Sequence, residues 1–79
     1  MEDDIMNPEG MKLGYALIEE MPEEYECWVD YQNLIEVGVS IIIPGQKIPA
    51  DFMEIASEYG DMRIEGAGLM QTEVTIIIN

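Results

Sequence analysis

Apolar and polar side chains alternate strictly along residues 25–32, YECWVDYQ. Tyr25, Cys27, Val29 and Tyr31 fall on one side; Glu26, Trp28, Asp30 and Gln32 fall on the other. A period of two marks a strand with one buried face. A turn is predicted at Gln32-Asn33. The alternation then resumes over 34–43, with Ile35, Val37, Val39, Ile41 and Ile43 inward, until Pro44-Gly45 ends it. A third strand is predicted at 61–66 with Met62 and Ile64 inward, followed by a turn at Gly66-Ala67-Gly68. The last strand, 69–78, turns Met70, Thr72, Val74, Ile76 and Ile78 inward. Val39-Ser40-Ile41-Ile42-Ile43 and Val74-Thr75-Ile76-Ile77-Ile78 are the most strongly β-forming stretches and should hold the middle of one sheet.

Two segments carry a different period. In PADFMEIASEY, residues 49–59, Phe52, Ile55, Ala56 and Tyr59 make a helical stripe. Pro49 suits a first helical turn, Asp51 complements the helix N-terminus and Gly60 supplies a stop. Residues 13–21, LGYALIEEM, fit either a helix, with Gly14, Leu17, Ile18 and Met21 on one face before Pro22, or a short strand. Their alignment with the second segment favours helix.

That alignment comes from sliding the chain by 35 positions, which matches residues 11–43 to 46–78 without a gap. Eight of the 33 pairs are identical: Lys12/Lys47, Glu19/Glu54, Glu23/Glu58, Leu34/Leu69, Val39/Val74, Ile41/Ile76, Ile42/Ile77 and Ile43/Ile78. Leu17/Phe52, Glu26/Asp61, Val29/Ile64 and Asp30/Glu65 are close in kind. Read as a repeat, the chain is helix–strand–strand twice. The expected fold is α+β: a four-stranded antiparallel sheet with two helices on one face and a pseudo-twofold axis between the isoleucine-rich strands. The alternative is a three-stranded meander (13–20, 24–32, 34–43) followed by a helix and a hairpin. Residues 1–10, MEDDIMNPEG, predict a mobile acidic lead-in to a single domain over 11–79.

Charge sharpens the picture. Seventeen acidic residues face three basic ones, a net charge of −14 in 79 residues. Such a chain repels nucleic acid, anionic membrane and its own copies, and attracts basic surfaces. No apolar run reaches the ~20 residues of a membrane span, and no basic-then-apolar leader is visible. The lone cysteine, Cys27, excludes an intrachain disulfide and fits a reducing compartment. A soluble, cytoplasmic protein is expected, in the host cytoplasm if its origin is viral.

Enzyme chemistry has little to draw on. With no histidine, Ser-His, Cys-His and histidine–metal sites are excluded. Cys27 lies on the inward face without a basic neighbour to stabilise a thiolate, so it reads as core. The glycines form no phosphate loop, and the acids do not follow the spacing of a calcium-binding loop. No catalytic activity, metal or cofactor is expected.

The residues expected to bind a partner lie on the face that the helices leave bare and at the end of the first helix. They are Glu19, Glu20, Glu23, Glu24, Glu26, Trp28, Asp30, Glu36 and Glu73. An outward indole ringed by carboxylates combines an aromatic anchor with a charged rim. The expected partner is a basic protein, one that itself binds nucleic acid, whose groove the carboxylates fill in place of phosphates. In size and charge the chain resembles the small acidic inhibitors that phages make against host nucleases, restriction enzymes, CRISPR complexes and DNA-repair enzymes. No motif ties it to one of these. The alternatives are a homodimer or larger homo-oligomer joined through Trp28, Ile42 and Ile77, and an acidic antitoxin or chaperone for a basic partner. Self-repulsion at −14 predicts that the melting temperature rises with added salt and at mildly acid pH. A flat response would show the charges to be already neutralised.

Overall fold

The computed structural model describes residues 7–79; the expectation for residues 1–6 of the lead-in lies outside them. Helix α1 spans Pro8–Glu19, strand β1 Glu26–Tyr31, β2 Val37–Pro44, helix α2 Ala50–Ser57, β3 Gly60–Ala67 and β4 Gln71–Ile78. The strands form one antiparallel sheet in the order β1-β2-β4-β3, with β2 and β4 central. The α+β architecture expected from the alternation is present. The meander alternative is not, because residues 13–19 are helical.

Both hairpins are built to one register. Glu26 faces Ile42, Cys27 Ile41, Trp28 Ser40 and Val29 Val39; thirty-five positions on, Asp61 faces Ile77, Met62 Ile76, Arg63 Thr75 and Ile64 Val74. In the central pair Ser40 faces Thr75, its own counterpart, so the pseudo-twofold axis passes between these two residues.

The core lies between the sheet and the helices. Val37, Val39, Ile41 and Ile43 from β2 and Val74, Ile76 and Ile78 from β4 are buried with Leu17 of α1 and with Phe52 and Ala56 of α2. Leu17 and Phe52 are counterparts in the two halves. At ~1.5–3 kcal/mol for each buried aliphatic or aromatic side chain, this cluster is the main source of stability. Gly10 and Gly14 let α1 lie close: a β-carbon at Gly14 would press on Val29 and Val39.

Several boundaries move from where the alternation alone puts them. α1 begins at Pro8, so residues 8–10 of the expected lead-in are helical. The Asn7 side chain caps the helix by accepting from the Gly10 amide, and Pro8 occupies the first turn. Ile35 is exposed rather than inward. The Asn33 carboxamide accepts from the amides of both Ile35 and Glu36, which draws residues 33–36 into a loop and delays β2 to Val37. Met70 is likewise exposed, in the turn before β4 rather than within it. β3 runs on to Ala67, and a register shift between Ile64 and Gly66 marks a bulge at Glu65. Ile64 faces the helix layer by register, yet it is 57% exposed because the short α2 leaves this part of the edge strand uncovered.

Gly60 is fixed by close approach, since a β-carbon there would collide with the backbone carbonyl of Ile77. Gly66 has open space around it. Gly60→Ala is therefore expected to cost about 2–3 kcal/mol or more in urea denaturation, and Gly66→Ala less than about 1 kcal/mol. Equal losses would contradict the described packing of β3 against β4.

Candidate functional site: the open face of the sheet

Alternation sends every second side chain to the face opposite the helices, where three cross-strand rows result. The first holds Glu26, Ile42 and Glu73; the second Trp28, Ser40, Thr75 and Arg63; the third Asp30, Gly38, Ile77 and Asp61. Both helices lie on the other side, so no secondary-structure element covers this face. Trp28 is 43% exposed, and Ile42, Ile77 and Glu73 are half-buried. Ser40 and Thr75 are buried even here. The indole and guanidinium at the two ends of their row are large enough to lean over these short hydroxyls.

The middle of the face is polar and internally bonded. Arg63 Nε donates to Glu65 Oε2 at 2.8 Å, and Arg63 Nη2 donates to Gln32 Oε1 at 3.1 Å. Gln32 Nε2 in turn donates to Asp30 Oδ1 at 3.0 Å. The Gln32 side chain lies over Gly38, where a β-carbon would collide with it. One strap thus runs from Asp30 on one edge strand to Glu65 on the other. The hydrogen bond from Arg63, joined by one from the Thr75 hydroxyl, holds the Glu65 carboxyl below its ordinary pKa.

The expected contact residues do not all share this surface. Glu26, Trp28, Asp30 and Glu73 lie together on the open face. Glu36 sits outside the sheet in the 32–36 loop, where its carboxylate accepts from the Asn33 side chain. Glu19 ends α1, Glu20 caps it, and Glu23 and Glu24 occupy the connection to β1, all exposed. Glu20 accepts a hydrogen bond from the Tyr59 hydroxyl, which links the ends of the two helices and raises the Tyr59 pKa. Gln32, Asp61, Arg63 and Glu65 complete the face and were not among the expected contacts. For Asp61 and Glu65 the signal was their repeat match to Glu26 and Asp30. Alternation also turns Gln32 outward, but its pairing with Arg63, 31 positions away, carried no sequence signal.

Cys27 points toward the core as expected. Its thiol donates weakly to the Tyr25 carbonyl, and burial pushes its pKa up, away from a reactive thiolate. Among the described residues, no group of three or more acids or cysteines is placed to hold a metal ion, and no helix is long and apolar enough to cross a membrane.

Glu65 gives this geometry a spectroscopic handle. Its pKa is lower folded than unfolded, so its contribution to stability is present above the unfolded value and is lost as pH falls through the folded one. In Arg63→Gln, the Glu65 carboxyl carbon is expected to titrate closer to the ordinary glutamate range by NMR. An unchanged midpoint would mean that the strap across the face does not form in solution. No family model matches this chain, and neither a curated protein nor a solved structure matches it.

Proposed function

We propose that this protein is a small acidic inhibitor that occupies the basic nucleic-acid-binding groove of another protein, its open sheet face standing in for phosphate-walled duplex. One observation carries the reading. Four outward carboxylates stand on the two edge strands, Glu26 and Asp30 on β1 and Asp61 and Glu65 on β3, with half-buried Glu73 of β4 and isoleucine and small hydroxyl side chains between them. Three strand spacings put the two acidic edges ~14 Å apart, and four residues separate the acids along each edge by ~13 Å. A DNA major groove is ~12 Å wide between its phosphate walls. The separation of charge thus fits one groove's width, with Trp28 as the aromatic anchor at one margin. A groove that binds a duplex through arginine and lysine would meet carboxylates at comparable separations, with the same release of counterions.

A homodimer through the same face must bring these carboxylates against their copies, with only Arg63 on each side in compensation. Light scattering at low and high salt tests for it; a dimer would take the face away from any other partner.

The inhibitor reading is tested by retaining a host protein on the immobilised chain, identifying it, and competing it off with duplex DNA. Duplex is expected to displace it, and affinity is expected to fall steeply between 50 and 200 mM salt. Trp28→Ala should weaken capture about 30-fold, the size of an aromatic hot spot, and Glu26→Lys/Asp30→Lys should abolish it. Binding that ignores both duplex and these substitutions would refute the reading.

A further inference from the structure

On the helix side, away from the open face, Met21, Pro22, Tyr25, Asp51, Phe52 and Ile55 line a half-open cavity of about 40 Å³. The sequence produces it locally. Pro22 follows the end of α1, Tyr25 leads into β1, and Asp51 and Phe52 open α2. The Tyr25 and Phe52 rings stand 6.3 Å apart, inclined by 59°. The walls are methionine, proline, isoleucine and two aromatic rings, and the one charged side chain in the lining is a carboxylate. We infer that this cavity is a binding pocket for a guanidinium group, the tip of an arginine side chain presented by a partner protein.

Size, charge and wall chemistry each narrow the ligand to that class. The volume holds roughly three water-sized bodies, which suits a four-atom planar guanidinium and is far too small for a nucleotide or a drug-sized molecule. Asp51 Oδ1 accepts from the Phe52 amide at 3.0 Å, which fixes the carboxylate in place. Among the described residues, Asp51 takes part in no ion pair. The field there is negative: besides burial, the charges of Asp51 and Glu24 both raise the Tyr25 pKa. A cation would relieve that field. The half-buried Tyr25 ring favours a weakly hydrated cation over a strongly hydrated one, hence guanidinium over ammonium. The aliphatic stem of an arginine would then cover Met21 and Ile55. The pocket also gives a role to Glu24, one of the acids in the α1–β1 connection, in drawing the cation in.

The probe is N-acetyl-arginine methylamide, titrated into the intact chain with the methyl groups of methionine and isoleucine followed by NMR. The neutral isostere N-acetyl-citrulline methylamide and N-acetyl-lysine methylamide serve as controls. Saturable shifts at Met21 and Ile55 are expected with arginine, with at least about tenfold weaker responses to citrulline and to lysine. Asp51→Asn, which can still accept from the Phe52 amide, should weaken arginine binding about tenfold and leave the fold intact. Trp28→Ala should leave it unchanged, which separates this pocket from the open face. Equal responses to arginine and citrulline, equal responses to arginine and lysine, or an Asp51→Asn variant that binds as well as the parent would each overturn the assignment.

Discussion

The pairing of β2 with β4 about Ser40 and Thr75 is the constraint on which everything else rests. These two strands supply seven of the ten buried apolar side chains of the core, all from one face, and leave the other face to small hydroxyls, two half-buried isoleucines and the half-buried Glu73. A slip of one residue in their register would turn one strand's core valines and isoleucines to the open face and bring small or hydroxyl side chains inward, together with Glu73 if β4 slipped. Burying Glu73 would be especially costly, because a chain with three basic residues offers it few cations to pair with. Charge and hydrophobicity therefore select the same register.

Once the central pair is set, the rest follows from repetition. Each edge strand joins its neighbour with the same offset, and each helix drops one large residue, Leu17 or Phe52, into the core. The helices occupy one layer, so their absence from the other is what makes an exposed face. The two halves then diverge where chemistry is displayed: Trp28 has Arg63 as its counterpart, and Gly38 has Glu73. The shared scaffold is in the core and the individuality is on the surface. An indole at one edge and an arginine tied into a polar strap at the other give the face a direction that the backbone alone lacks.

Much of this was legible in the sequence because the informative contacts are periodic. β-branched runs, the 35-residue echo and the stripe Phe52–Ala56 report burial directly, and they placed all four strands and the second helix. What escaped depends on single side chains acting on backbone. Asn33 turns residues 33–36 into a loop and exposes Ile35; the bulge at Glu65 shifts the end of β3; Asn7 starts α1 a turn earlier. The pair Asn7-Pro8 carried a readable cap signal. The strap from Asp30 through Gln32 to Arg63 did not, since it joins residues far apart in the chain. Charge density singled out Glu19, Glu20, Glu23 and Glu24 at the end of the first helix, where the fold also puts them, whereas alternation put Glu36 on the sheet, from which the 32–36 loop removes it.

The account stands on an open sheet face that shows its indole to solvent among carboxylates, and the chain holds a single tryptophan with which to see it. Collisional quenching of Trp28 fluorescence measures both properties at once. Acrylamide should quench it efficiently, and caesium should quench far more strongly than iodide because the surrounding charge concentrates the cation and excludes the anion. Emission that resists acrylamide, or that iodide quenches as well as caesium does, would contradict the account.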